Sequence, residues 1–452
     1  MASRTQPARG MRDFLPADVR RREYVIRVIK EVYESYGFEP LETPAVENIE
    51  TLLGKYGEEG NQLIFKILKR GEHERSGEAD LALRYDLTVP LARVVAEYQN
   101  QLPPFFKRYQ IQPVWRADRP ARGRFREFYQ CDVDVTGSRS MAVEAELCAA
   151  ASDALERLGF NDFRIRLNHR QTLTAILERA GISVEQHESA LVALDKLDKI
   201  GVEGVARELA ARGISDEAAH RLLGFFEEIS GLRGDERANH AILARLSEFI
   251  GEHEGGKRGV AELQQILCYA EASGVSSRLE LDPNLARGLS YYTGAIMEIN
   301  VPDLSGSLGG GGRYDNLIGM FLGRDVPACG FSLGLERIIV VMSERGMFPP
   351  ELDRASVDAL VTIWDEASVA EALALARALR QRGLRVDLYP EAHKLGKQFK
   401  YAAARGIPFV VVLGPDEKER GEVSVKDMRT GEQRAVRREA LAEAIKESLV
   451  TF

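Results

Sequence analysis

The sequence holds few cysteines, and none of them are close together. Cys131, Cys148, Cys268 and Cys329 are scattered with no CxxC spacing, which indicates neither a disulfide framework nor a thiolate zinc site. Long apolar runs are missing too. Ile338 to Met342 and Phe409 to Leu413 are among the longest, far too short to cross hydrocarbon. The N-terminal Met-Ala-Ser-Arg-Thr-Gln-Pro lacks the apolar stretch of a secretory signal. A reducing cytoplasm and no membrane partner are expected. There is no GxxxxGK[ST], and no GxGxxG follows a strand, so a P-loop or a dinucleotide-binding fold is not supported. Positive charge is not in excess either. With 61 Lys and Arg against 69 Asp and Glu, the formal net charge is -8, which argues against a chain that coats nucleic acid indiscriminately.

What remains is ordinary globular material: 452 residues, 44% hydrophobic and 29% charged, enough for two or three domains with a sizeable core. Pro16 and Asp18 precede apolar residues at helical spacing (Val25, Val28, Ile29, Val32, Tyr33, Tyr36), with Gly37 as the stop. Phe38 to Val46, with prolines at 40 and 44, suits an edge strand or a subunit contact. Leu63 to Lys69 and Leu81 to Tyr85 read as strands. Phe105 to Ala117 and Phe125 to Thr136 read as an antiparallel pair joined by a long polar loop, followed by a helix from Met141 to Leu158. Residues 184–255 are charged, alanine-rich and helical, an insertion in a domain spanning 1–350. Strands are expected again at Arg278 to Leu281 and Ala295 to Val301, then a turn at Gly309 to Arg313 and a helix from Ser332 to Met342. From 355 to 452 the pattern becomes βαβαβ, predicting a small α/β domain with mainly parallel pairing.

The chemistry concentrates between Lys107 and Arg126, where seven basic residues meet one acidic residue, Asp118. Period two on the second strand sets Arg124, Arg126, Phe128, Gln130, Asp132 and Asp134 on one face, with Phe125, Tyr129, Cys131, Val133 and Val135 opposite. Arg116, near the end of the partner strand, offers a guanidinium fork to a phosphate or carboxylate. Two further clusters stand out: Leu285 to Gly294 followed by four glycines and Arg313-Tyr314-Asp315, and Gly330 to Arg337, with Arg337 in the second turn of the expected helix. The seven histidines are scattered, and His169 and His73 read as structural or surface residues.

These segments resemble those of the histidyl-tRNA synthetases, a class II aminoacyl-tRNA synthetase family, along nearly the whole chain. VWRADRPARGRFREFYQCDVDV (114–135) is similar to the motif 2 strand-loop-strand. LARGLSYYTG (285–294) and GGGRYD (310–315) resemble the two histidine signatures, GFSLGLER (330–337) resembles motif 3, and GFEPLETP (37–44) resembles the motif 1 region used in dimerisation. The resemblance implies an α+β protein: an antiparallel-sheet catalytic domain with a helical insertion, and a C-terminal anticodon-binding domain. It implies a homodimer that uses ATP, Mg2+, L-histidine and tRNA(His).

By the same resemblance Asp86, Thr88 and Gln130 hold the α-amino group. Asp134 and Tyr292 read the imidazole beside Tyr291, and Arg287 lies against the carboxylate and α-phosphate. Arg116, Arg124 and Arg337 hold ATP, and Phe128 stacks on adenine. Arg116 and Arg287 are the catalytic pair. The metal ligands are left unassigned, because no compact carboxylate cluster marks them. The family pattern carries Glu where this chain has Asp86 and Asp134, and RGLDYY where Ser290 stands. Each aspartate is one methylene short, so its wall must come closer to the substrate. Two rival readings are a histidine-sensing regulatory paralogue, which should lack the C-terminal domain and the ATP-site arginines, and a nucleic-acid-binding module, which leaves the glycine signatures unexplained.

Overall fold

The structure, a computed structural model, describes residues 5–71, 76–194, 196–232, 238–286, 291–353 and 356–450. The chain divides into two compact units, 1–347 and 348–452. The strands of the first unit are β1 (Glu39–Pro40), β2 (Val46–Asn48), β3 (Lys66–Leu68), β4 (Ala79–Leu83), β5 (Phe106–Trp115), β6 (Glu127–Thr136), β7 (Arg164–His169), β8 (Leu279–Leu281), β9 (Ala295–Asn300), β10 (Ser307–Arg313) and β11 (Ala328–Gly334). Eight of them form one sheet in the order β1-β5-β6-β11-β10-β9-β7-β8, and β2-β4-β3 form a small second sheet. The interior pairs of the large sheet are antiparallel. β1 and β8 join in parallel at the two ends. Pro40 sits on that edge, where its missing N–H costs no ladder bond.

The first helix, Pro16–Ser35, opens on a proline whose fixed φ suits the first turn. It buries Val25, Val28, Ile29, Val32 and Tyr33, and Gly37 at φ 77° ends it. This helix and Ala142–Arg157 pack on each other and against the sheet. The Tyr33 hydroxyl donates to the Cys131 carbonyl of β6 at 3.1 Å. Cys131, Val133 and Val135 are buried, which leaves the even-numbered residues of β6 for the other face.

Two expectations for the motifs need correction. Gly309 to Arg313 is not a turn but most of β10, in the interior of the sheet between β9 and β11. Glycine has low strand propensity, so the run reads as a loop. Here the neighbouring backbones come so close that no side chain fits: a Cβ at Gly309 would lie 2.5 Å from the Ser332 carbonyl oxygen, and one at Gly312 2.6 Å from that of Ala295. Likewise Ser332 lies on β11, opposite Asp132. The helix runs from Leu335 to Glu344, which puts Arg337 in its first turn rather than its second.

Arg313 closes the end of the glycine strand. Almost fully buried, it donates to Glu144 at 2.6 and 2.8 Å, to the Ser138 carbonyl at 2.9 Å and to Asp315 at 3.2 Å. Between 187 and 272 the described residues form the helices His187–Leu194, Leu197–Ala211, Asp216–Gly231, Ala238–Ile250 and Glu254–Ala272, with Leu209, Leu222, Phe225, Phe226, Ile229 and Leu246 buried among them.

The second unit adds β12 (Ala359–Val361), β13 (Val386–Leu388), β14 (Phe409–Val412), β15 (Glu422–Asp427) and β16 (Gln433–Arg437) in the order β13-β12-β14-β15-β16. Helices Val369–Gln381 and Leu395–Ala404 connect the parallel part. Pairing is mixed rather than mainly parallel, because β15 and β16 are antiparallel. That hairpin is highly polar, and β16 is largely exposed, so it carries little of the apolar pattern that marks a strand.

Glu144→Ala removes the two-pronged carboxylate partner of the buried Arg313 guanidinium and leaves it Asp315 at 3.2 Å. The expected cost is about 3–5 kcal/mol of stability, read as a lower midpoint in urea unfolding. An unchanged midpoint would show that the pair contributes nothing.

Candidate functional site

On the open face of β6, a cavity of about 350 Å³ collects residues from distant parts of the chain. Phe128, Gln130, Asp132 and Asp134 alternate along its floor, Arg116 comes from just beyond β5, and Arg124 from the connecting loop. Thr88, Tyr291, Tyr292, Tyr314, Gly309 to Gly311 and Arg337 complete much of the wall. Nine residues singled out in the sequence therefore meet in one cavity: Thr88, Arg116, Arg124, Phe128, Gln130, Asp134, Tyr291, Tyr292 and Arg337. Arg126 does not join them; it packs beside Gly10 and donates to the Asp118 carbonyl. Arg287 and Ser290 lie outside the described residues, as does His73.

Asp86 is fully buried and is not part of the cavity wall. Its Oδ1 accepts from the Tyr56 hydroxyl at 2.9 Å and the Val89 N–H at 3.1 Å, and its Oδ2 from the Tyr291 hydroxyl at 3.0 Å. The short aspartate is thereby held behind Tyr291. Tyr56, Tyr85, Tyr291 and Tyr314 belong to one apolar cluster with Leu52, Val89 and Ile318, which fixes how the tyrosines stand.

The polar end of the cavity is organised by a residue that carried no motif signal. Arg108 on β5, fully buried, faces Asp134 at 2.9 Å and Asp132 at 3.8 Å. It also donates to the Leu87 carbonyl and the Gln110 side chain, both at 3.3 Å. The Tyr314 hydroxyl donates a short hydrogen bond to Asp134 Oδ1. Gly330 lies opposite Asp134 on β11, and a methyl group there would collide with the carboxylate. Burial raises the carboxyls of Asp86 and Asp134 above the usual range. It pushes Asp132 up to about 7 against the pull of Arg108, with Asp134 adding to the rise. Tyr292 is raised as well, by burial and then by Asp132, Asp134 and Asp86.

The other end is cationic. Arg116 donates its Nε–H to the Tyr85 carbonyl at 3.0 Å, with its guanidinium 4.3 Å from the Tyr85 ring centre and 5.2 Å from that of Phe128. An arginine oriented in this way presents a preset fork to an anion. Arg337 donates to the Ser307 carbonyl at 2.5 Å and to that of Gly123 at 3.3 Å, tying the loop of the hairpin to the glycine strand. His169 is structural: its Nδ1 accepts from Gln171 N–H at the start of helix Arg170–Ala180, and its Nε2 lies 2.8 Å from Glu262. Among the described residues no group of three or more His, Cys, Asp or Glu is arranged to hold a metal ion, and no helix is long and apolar enough to cross a membrane.

The raised carboxyl of Asp132 has a consequence for stability. A group with a folded value of about 7 and an ordinary value of 3.8 favours the folded state fully below the lower value and loses that contribution as pH rises through the upper one. Arg108 on β5, Asp134 beside it on β6, Ser332 on β11, Asp86 and Tyr292 are the groups that set this titration. Asp132→Asn should therefore gain in melting temperature relative to the wild type as pH is raised from about 4 to about 7. A constant difference would mean that Asp132 does not titrate in that window.

Comparison with known proteins agrees with this geometry. Residues 10–338 match the family model described as histidyl-tRNA synthetase, and residues 340–448 match that of the anticodon binding domain. The histidine--tRNA ligase of Porphyromonas gingivalis is 44% identical over 442 residues, covering 94% of this chain and 95% of that protein. That of Gloeobacter violaceus is 44% identical over 453 residues, with 94% and 95% covered. The crystal structure of histidyl-tRNA synthetase from Nostoc sp. PCC 7120 superposes with a TM-score of 0.79 at 35% identity, covering 99% of this chain and 100% of that one. With two family models spanning almost its full length and relatives of this similarity, the chain belongs to the histidyl-tRNA synthetase family.

Proposed function

We propose that the chain is an ATP-dependent histidine–tRNA ligase, which activates L-histidine with ATP to histidyl-adenylate and pyrophosphate and then transfers histidine to the 3′ end of tRNA(His), releasing AMP. The observation that carries this reading is the polarity of the cavity on the open face of β6. One strand face runs from Phe128 beside a clamped arginine to the aspartates around Arg108, so a nucleotide phosphate and an amino acid can lie end to end on the same floor.

In the first step two anions meet, the histidine carboxylate and the α-phosphate. Arg116 offsets their repulsion and stabilises charge on the transferring group, and Arg287 is assigned to the opposite side of that phosphate. Phe128 stacks on adenine, while Arg124 and Arg337 belong to the β- and γ-phosphates. The carboxylate is already nucleophilic, so positioning carries the step.

At the far end Asp134, with Tyr314 on one oxygen and Arg108 on the other, accepts the imidazole N–H, and Tyr292 serves the second ring nitrogen. An apolar analogue leaves these buried groups unmet, a penalty that can reach about four to five decades. Magnesium accompanies the nucleotide in this reading and would supply charge neutralisation. The second unit takes the anticodon of tRNA(His). A homodimer in the cytoplasm completes the proposal, supported by the exposed apolar residues Val46, Leu53, Leu68 and Leu81 around the small sheet.

Pyrophosphate exchange into ATP should depend on histidine, and a folded, histidine-binding protein without exchange would overturn the assignment. Arg116→Ala should lower the exchange rate about a hundredfold to a thousandfold with a much smaller change in histidine affinity. Equal losses in both would remove Arg116 from the reacting phosphate. Asp134→Asn should relax discrimination among imidazole analogues in the same assay, and unchanged selectivity would take Asp134 out of the reading role.

A further inference from the structure

The loop between β5 and β6 supplies Asp118, Gly123, Arg124 and Phe125 to the cavity, and it is held from outside as well as from within. From Asp118 to Arg124 it is polar apart from Pro120, Ala121 and Gly123, so burial of its own side chains does little to fix it. On its inner side Arg337 grips the Gly123 carbonyl. On its outer side runs Gly10 to Phe14, the stretch that precedes the first helix.

Three contacts join this stretch to the loop and the strand behind it. The Arg126 N–H donates to the Gly10 carbonyl at 2.7 Å, while the Arg126 carbonyl accepts the Arg116 N–H at 2.9 Å, so a third piece of backbone extends the hairpin where Arg116 stands. Gly10 lies at φ 84° against the Arg126 side chain, and a Cβ there would be 2.8 Å from Arg126 Cγ and 3.0 Å from Pro120 Cγ. Only glycine allows that approach. The Arg12 guanidinium lies 3.4 Å from the centre of the Phe125 ring, the spacing of a stacked cation and ring.

The stack continues away from the loop. Arg12 is 4.9 Å from the Phe14 ring centre, and Arg22 of the first helix is 4.1 Å from Phe14 and 4.9 Å from Tyr129 on β6. Arg22 also meets Glu336 at 2.8 Å, whose second oxygen accepts the Tyr129 N–H at 2.8 Å. Cations and rings alternate from Phe125 to Tyr129, and Phe125 and Glu336 both line the cavity. Glu336 directly precedes Arg337. The stretch therefore holds both the loop and the start of helix Leu335–Glu344, the two elements that bring Arg124 and Arg337 to the phosphate end. A loop fixed in advance spares the nucleotide the entropy of ordering it. That saving appears in nucleotide affinity rather than in the rate of the chemical step, because bound nucleotide orders the loop with its own contacts.

We propose that Gly10 to Phe14 is a positioning element for the nucleotide, with Arg12 acting through Phe125 to hold the loop that carries Arg124. The inference rests on the ligase reading above, which puts ATP at this end, and goes beyond it by adding a segment outside the cavity wall.

Histidine-dependent pyrophosphate exchange by the full-length protein, with ATP and histidine varied in turn, tests this. Arg12 and Phe14 are exposed, so replacing them leaves the core untouched. Arg12→Ala should raise KM for ATP about threefold to tenfold, the size of a cation–ring contact near the surface, with kcat and KM for histidine unchanged. Arg12→Lys keeps the charge but not the flat face and should resemble Arg12→Ala; full recovery by lysine would overturn the stacking role. In a Phe125→Leu background Arg12→Ala should add nothing further, and an undiminished effect there would overturn the route through Phe125. Gly10→Ala presses on Arg126 without touching the stacked pair. It should show the same selective rise, and it decides the matter if Arg12→Ala does not fold. A fall in kcat at unchanged KM, an equal rise in both KM values, or no change at all would overturn the proposal. A wild type without histidine-dependent exchange would sink the ligase reading instead, an outcome distinct from these.

Discussion

The buried guanidinium of Arg108 is the interaction on which the cavity depends. It links β5 to the aspartates of β6, reaches the Leu87 carbonyl at the start of helix Thr88–Glu97 and faces a carboxylate that Tyr314 also holds. Asp134 is therefore fixed from three directions, by charge, by a hydroxyl and by the space that Gly330 leaves open. A slip of one residue between β5 and β6 would turn the aspartates toward the helices and the apolar side chains toward the cavity, leaving several charges buried without partners. The ion cluster thus specifies register as well as shaping the site. The cluster sets an acidic end of the cavity against a far end where Arg116 and Arg337 stand.

The opposite wall follows a different rule. β10 carries almost no side chains, so β9 and β11 close on it and the sheet stays continuous beneath the ligand. Arg313 at the end of that strand is not part of the cavity wall. It ties the strand to Glu144 in the helix behind the sheet, so that the glycine signature ends in a structural brace rather than a substrate contact. Arg337 does similar work on the loop side by holding Gly123 and Ser307 together.

Much of this was legible beforehand, and the exceptions have physical causes. Regular alternation exposed β5 and β6, helical spacing exposed Pro16–Ser35 and Ala142–Arg157, and the even-numbered face of β6 was ordered correctly down to Asp132. The glycine run of β10 reads as a turn because glycine announces freedom and says nothing about neighbours pressing from both sides. The β15–β16 hairpin leaves no mark in the sequence because polar, exposed strands lack an apolar stripe. Arg108 was hidden for another reason. Within a basic run every arginine looks alike, and only the fold shows that this one is buried against carboxylates while Arg124 is exposed. The position of Asp86 behind Tyr291 depends on tyrosines brought in from residues 56 and 291, which no local pattern relates.

The glycine strand also bears on how the cavity responds to a ligand. Its peptide groups are hydrogen-bonded to the strands on both sides, and no side chain projects from its four glycines, Gly309 to Gly312. A flat group laid against β10 meets a surface that need not reorganise and loses no side-chain entropy on contact. The ordering cost of filling the cavity therefore falls on the exposed Arg124, since Arg116 and Arg337 are already held by backbone carbonyls. The amino-acid end, locked by Arg108 on one side and lined by bare backbone on the other, behaves as a rigid template.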